Sequence, residues 1–448
     1  MTFNEFKELV IAECAAQGVT EYELYYQAGA STSVDTFQHS INEFTSSYAG
    51  GVCFRCIVGG KMGYASTEDL SAQQAKAVVA KAMDSASVLE SEEQVFLGVG
   101  GQKYEPLEDK SYSLPTTEEL IAKVLETTEK LYAADSMAVD GCQTQGIIET
   151  SEVAIYNSKG LDLQHKNSAA GLVAVGVVSN GKEMSDSYQI KLGELSKIDT
   201  DEMVKKAIDN AKEKLGGEVA PTGQYPVVFN PEAMTSLLGV YSSIFNSEAA
   251  QKGLSKLQGR EGEVIAAPCV TLIDDPFHCD NPEPINFDAE GSPTHKKAVI
   301  EKGVLNTLLY NLKTAAVAGK KTTGNASKAG YDSPVGIRPF TMYLEGGEMT
   351  EEELLNKAGN GVYITSLSGL HAGADAISGD FSLQSAGYMI ENGKKTRYVK
   401  SFTVAGNFYD LLKNIVALAN NSQLPRAMGM TTFGAPTVLV DGLSVAGK

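Results

Sequence analysis

Within the first 215 residues the apolar spacing runs helical, then alternating, then helical, and afterwards repeats that progression. A period of 3.6 giving way to a period of 2 means helices packed on strands whose side chains alternate between two faces, so an α+β arrangement is expected. In the first round Phe6, Leu9 and Val10 make one apolar helix face, Thr2 or Asn4 can cap it, and Gly18 can end it in a left-handed turn. Residues 22–67 alternate and are broken by Gly50-Gly51 and Gly59-Gly60, the pattern of an antiparallel meander. A helix over 71–89 follows, with Ala75, Val78, Val79 and Ala82 on its buried side.

The second round opens on the capping box Thr116-Thr117-Glu118-Glu119, ahead of a helix carrying Leu120, Val124 and Leu131. Strands are expected over 137–192, turning at Ser158-Lys159-Gly160 and at the hairpin signal Asn180-Gly181, and a helix over 199–215 stops at Gly216-Gly217. Ala220-Pro221-Thr222-Gly223-Gln224 has the composition of a linker. The chain of 448 residues therefore divides into an N-terminal α+β region over 1–220, with sub-blocks over 1–100 and 112–220, and a C-terminal region over 221–448. That second region is glycine-rich and expected to be a β-rich, barrel-like domain. It holds a helix after Pro231 with Leu237, Leu238, Tyr241 and Phe245, a hairpin at Asn392-Gly393, and one more long helix over 408–419. No fixed-period solenoid repeat is present.

Composition removes several classes of function. A formal charge of −19 argues against binding nucleic acid through its phosphates and against anionic membrane surfaces. No stretch approaches the roughly 18 continuous apolar residues of a membrane span. The start Met1-Thr2-Phe3-Asn4-Glu5-Phe6 has neither a basic n-region nor an apolar run, so a cytoplasmic location with the six cysteines reduced is expected.

A hydrolytic zinc needs imidazoles that converge, usually two of them one helical turn apart. The five histidines are His39, His165, His278, His295 and His371, and no two lie within one turn. Cys269, His278 and Cys279 come nearest to a metal cluster, but adjacent residues on an extended segment point to opposite faces, and a buried thiol beside a loop histidine is the competing reading. Cys53 and Cys56, three apart in a strand, also face opposite ways. No serine elbow or phosphate loop is present. Two polar, glycine-rich loops remain, Thr322-Thr323-Gly324-Asn325-Ala326-Ser327 and the stretch from Leu370 through His371, Gly373 and Gly379 to Asp380-Phe381. Either they admit a peptide backbone, with His371, Asn325 and Asp380 lining a shared cleft, or their glycines supply special backbone angles and His371 packs.

Asp274-Asp275-Pro276, Asn286-Phe287-Asp288-Ala289-Glu290-Gly291-Ser292-Pro293-Thr294, Thr323-Gly324-Asn325-Ala326, Gly379-Asp380-Phe381-Ser382 and Ala405-Gly406-Asn407 together resemble the C-terminal region of the TldD/PmbA metallopeptidase family. In the TldD branch the helix opening that region carries His-Glu-x-x-x-His, and a cysteine near the C-terminus completes a zinc site. Here the helix reads Thr235-Ser236-Leu237-Leu238-Gly239-Val240-Tyr241, and Pro425-Arg426-Ala427-Met428-Gly429-Met430-Thr431-Thr432 holds no cysteine. The chain thus resembles the other branch, PmbA or TldE. The resemblance implies a non-catalytic subunit with no cofactor of its own. It would pair as a heterodimer with a TldD-like subunit that bears the zinc, acting on peptides or unfolded proteins and trimming leader peptides. The label modulator of DNA gyrase, also attached to this branch, implies no DNA contact. A free-standing peptide-binding homodimer and a hydrolase with an unrecognised site are the alternatives.

Overall fold

A computed structural model describes residues 1–90, 94–107, 113–281, 283–424 and 431–447. The first round is α1 (Phe3–Gln17), β1 (Tyr22–Phe37), β2 (Ser40–Val58), β3 (Lys61–Thr67) and α2 (Ala72–Ser87). The second is α3 (Thr117–Ala133), β4 (Gln143–Asn157), β5 (Asp162–Ser179), β6 (Met184–Leu192) and α4 (Thr200–Glu213). Capping boxes start α1, through Thr2 and Glu5, and α3, through Thr116 and Glu119; Gly18 closes α1 in the left-handed conformation.

The two rounds share one antiparallel sheet in the order β3-β2-β1-β4-β5-β6, so the first strands of each meet at its centre and the order reads alike from either edge. One face is covered by all four helices. Leu24, Tyr26, Phe54 and Cys56 pack there against Phe6, Val10 and Val79. Val34, Leu172 and Ala174 pack on the same side against Leu120, Val124 and Ala207. The opposite face takes the odd-numbered residues of β1. Tyr25, Cys53 and Ile155 meet Phe287, Ala289 and Ala326 of the C-terminal region there. Cys53 and Cys56 therefore belong to cores on opposite sides of the sheet.

The C-terminal region runs through β7 (Gly223–Phe229), α5 (Pro231–Tyr241), α6 (Ser247–Gln251), β8 (Leu272–Asp274), β9 (Lys297–Glu301), β10 (Val304–Leu305), α7 (Leu312–Val317), β11 (Ala326–Ser327), β12 (Gly336–Ile337) and β13 (Thr341–Leu344). It continues with α8 (Glu351–Ala358), β14 (Gly361–Ser368), α9 (Leu370–Gly373), β15 (Asp380–Glu391), β16 (Lys394–Asn407), α10 (Phe408–Lys413), β17 (Ile415–Leu418), β18 (Thr432–Gly434) and β19 (Val438–Ala446). Strands β16-β15-β14-β7-β19 form a sheet that closes on itself because β16 also pairs with β19, giving a five-stranded barrel with β17 appended. A second sheet, β10-β9-β8-β13-β18, lies beside it. Leu237, Leu238, Tyr241 and Phe245 from the α5 segment fill the same core as Phe229, Leu383 and Val404 of the barrel.

Three expectations are corrected. Leu9 is 39% exposed; Phe3, Phe6, Val10 and Cys14 form the buried stripe instead. Gly50 and Gly51 do not break the meander but sit inside β2. A Cβ on Gly51 would come within 2.6 Å of the Tyr331 ring, so close approach explains that glycine. The turn joining β1 and β2 is made by Gln38 and His39, both with positive φ, a pairing without the usual asparagine-glycine signature. The helix expected over 408–419 ends at Lys413, because Ile415–Leu418 pair with β19 as a strand.

Candidate functional site

The sheet face left free of helices becomes the floor of a cleft. Register places Gln27 opposite Val153 and Val153 opposite His165, a row across β1, β4 and β5; the next row is Gly29, Ser151 and Asn167. The C-terminal region supplies the roof through Asn281, Glu283, Ile285, Phe287, Lys328, Arg338 and Phe340. The cleft has a volume of about 230 Å³, and Ser151, His165 and Asn167 also border a trough of about 620 Å³ whose lining, Tyr26 and Tyr48 included, lies largely on the helix-bearing side.

The cleft holds two cations, Lys328 and Arg338, and two carboxylates, Glu283 and Asp288, and among the described residues neither cation is closely paired with either carboxylate. Lys328 is only 6% exposed, its Nζ lies 4.7 Å from the centre of the Tyr25 ring, and burial lowers its pKa. Burial also pushes the Arg338 guanidinium down to about 10, and its Nε is buried without a hydrogen-bond partner. His165 Nε2 and Gln27 Oε1 are likewise buried and unpartnered, and burial lowers the His165 pKa. Orphaned buried polar atoms are uncommon, so several around one cavity mark a place built for something else. The Asp288 carboxylate is committed elsewhere: its oxygens accept from the backbone of Glu290, Ser292 and Ala326, each at 2.9 Å.

The three residues singled out in the sequence do not line this cleft together. Asn325 is fully buried. Its amide donates to Asp274 Oδ2 at 2.7 Å and to the Arg338 carbonyl at 3.0 Å, and its Oδ1 accepts from Thr323 at 2.8 Å. Asp274 in turn pairs with Lys297 at 3.1 Å, so Asn325 is a strut inside a satisfied network. His371 and Asp380 are exposed beside α5, where Tyr241 donates to the Asp380 carbonyl at 2.8 Å and Asn407 holds the Asp380 carboxylate at 2.8 Å. Gly379 has a φ of 85°, as a turn glycine would, and a Cβ on Gly373 would strike the Ser382 carbonyl at 2.4 Å.

Metal-binding chemistry is sparse. Among the described residues one group of three donors stands together: His278, Cys279 and Asp280, with ligand atoms within 4.8 Å of one another. They occupy a turn rather than the extended segment expected, which is why adjacent side chains converge. Cys269 is not among them; its thiol approaches the Ile415 carbonyl. His278 Nδ1 also accepts from the Asp280 backbone at 3.2 Å. On α5 the outer positions are Glu232, Thr235, Ser236, Gly239 and Val240; Glu232 accepts from the Tyr188 hydroxyl at 3.1 Å, and with no imidazole among them this face does not fit a zinc ion. Residues 425–430, where the cysteine comparison falls, lie outside the described residues.

The signal for the cleft was present but diluted. His165 and Asn167 are polar positions two apart on a strand, opposite Ser151 and beside Gln27, and their convergence with Lys328 and Arg338 depends on docking across about 160 residues.

Residues 222–447 match the sequence profile of the PmbA/TldA metallopeptidase C-terminal domain, 22–86 that of its domain 1, and 110–215 that of its central domain. A metalloprotease of Methanothermobacter thermautotrophicus is 27% identical over 86% of this chain and 84% of its own length. Metalloprotease PmbA of Escherichia coli O157:H7 is 26% identical over 65% of this chain and 62% of its own. A Thermotoga maritima structure described as a modulator of a DNA gyrase superposes with a TM-score of 0.89 at 30% identity, covering 99% of this chain and all of that one. TldE from Thermococcus kodakarensis shares the fold, with a TM-score of 0.88 at 22% identity over 98% of this chain and 99% of its own.

Proposed function

Since the chain belongs to the PmbA/TldD metallopeptidase family, we propose that it serves there as a zinc-less subunit, holding peptide substrate for a TldD-like chain that carries the metal. The observation behind this reading is the outer face of α5, where a single carboxylate, Glu232, is accompanied only by threonine, serine, glycine and valine, with no imidazole. A three-ligand zinc site that loses its imidazoles keeps neither affinity nor the polarised water that hydrolysis needs. What such a subunit still offers is binding and orientation, and the cleft between sheet and C-terminal region is large enough to supply both.

The substrates proposed are peptides or unfolded segments, including leader peptides, because a groove floored by sheet and flanked by unpaired polar atoms suits an extended backbone. A cytoplasmic location goes with this reading, in keeping with only six cysteines in 448 residues and with the lack, among the described residues, of a helix long and apolar enough to cross a membrane. Direct DNA contact is no part of it, given the charge of −19. Peptidase assays separate the outcomes. The purified chain is expected to be inactive on unfolded protein and to support cleavage once a zinc-bearing TldD-like chain is added. Chelator-sensitive cleavage by this chain alone would refute the proposal.

A second reading draws on the turn at His278, Cys279 and Asp280, whose donors converge. If that turn carried a hydrolytic metal, Cys279→Ser would abolish an activity of the isolated chain. Unchanged activity would remove it from consideration.

A further inference from the structure

We propose that Lys328 and Arg338 form a carboxylate-binding subsite in the interdomain cleft, which receives the C-terminal carboxylate or an acidic side chain of a peptide. The identity of the ligand as a peptide rests on the function proposed above; the subsite itself rests on geometry. Among the described residues neither cation has a carboxylate within 4.0 Å, although the chain carries 56 acidic residues against 37 basic ones. Glu283 and Asp274 lie near enough to act on Arg338 but not to pair with it, so a carboxylate bonded directly to the guanidinium would offset more of the cost of its burial. Lys328 is a compact charge resting above Tyr25, whereas Arg338 offers a planar fork suited to a carboxylate, its Nε still unpartnered and one Nη bound only to Thr431 at 3.4 Å.

The rest of the cleft fits the same ligand. Ile285, Phe287 and Phe340 give an apolar wall beside the charges, enough for the side chain of a terminal residue. A volume of about 230 Å³ suits an end group. The preceding residues would run past Ser151, His165 and Asn167 toward the edge of β5, with the orphaned His165 Nε2 and Gln27 Oε1 of the same cleft supplying polar groups for backbone amides. Glu283 lines the same cleft and acts on Arg338, so the net positive field there is small and a singly charged end group is preferred over a phosphate.

The test uses the full isolated chain, with neither partner nor zinc, so that it reads the subsite even if the subunit role fails. Calorimetric titration compares an uncharged-side-chain pentapeptide with a free C-terminus, its C-terminal amide, and an amidated version carrying one internal glutamate. The free acid is expected to bind at least tenfold more tightly than the amide; recovery of binding by the internal glutamate would assign the site to acidic side chains instead of chain ends. Arg338→Gln is expected to erase the difference between acid and amide, with Arg338→Lys restoring part of it. Lys328→Met should do the same, and if it fails to fold the arginine pair carries the test. Equal binding of acid and amide, no binding of either, or an undiminished preference in folded Arg338→Gln would overturn the proposal.

Discussion

Arg55 and Glu23 show how a single pair can tie together the two rounds of the N-terminal region. Both are almost fully buried, joined at 2.6 Å, and Glu23 also accepts from Asn157 at 3.1 Å, whose amide reaches the Gly98 carbonyl. Removing one partner strands the other charge in the interior, so Glu23→Gln is expected to cost about 3–5 kcal/mol in a denaturation experiment. Nearby, burial and the proximity of Asp288 raise the Glu290 carboxyl to about 7. A carboxyl whose folded pKa lies above its unfolded value holds its proton more tightly when folded, so its contribution to stability falls as pH rises through the window from the ordinary carboxylate range to about 7. Glu290→Gln keeps an acceptor for the Leu312 amide, which Glu290 now binds at 2.8 Å, and removes the titration. Its melting temperature relative to the unsubstituted protein should therefore climb between pH 5 and pH 8; a constant difference would mean that Glu290 stays ionised throughout.

At the scale of elements, glycines decide how closely helices approach the sheet. A Cβ on Gly63 in β3 would lie 1.8 Å from the Ala82 carbonyl of α2, a backbone atom that cannot rotate aside. Gly63→Ala should thus separate α2 from β3 and lower stability by about 1–3 kcal/mol, read from the urea midpoint. The elements legible in the sequence were those with strong local signals: capping boxes at Thr2 and Thr116, alternation through β1 and β4, and the apolar stripe of Leu237, Leu238 and Tyr241. Those that were not legible owe their form to distant partners. Residues 415–418 have helical spacing, but an unpaired edge of β19 captures them as a strand. The cleft was missed for the same reason, since its floor comes from β1, β4 and β5 and its cations from residues 328 and 338. Asn325 looked like a surface loop residue because nothing in its neighbourhood announces Asp274, 51 residues away, as its partner.

At the scale of the whole molecule, two architectures meet across one sheet face: a two-round α+β layer with its helices all on the far side, and a barrel region whose loops close over the near side. Tyr104 donating to the Gly291 carbonyl at 2.8 Å and Tyr331 reaching Glu68 at 3.1 Å tie them together along that seam. The arrangement leaves a groove beside the sheet and an α5 surface with no imidazole, the two features on which the proposed partner-subunit role rests. Elemental analysis of the metal bound per chain, on this protein purified alone and again in complex with a TldD-like chain, tests that role most directly. The account predicts negligible zinc on the isolated chain and one ion per pair in the complex; one tightly held zinc per isolated chain would contradict it.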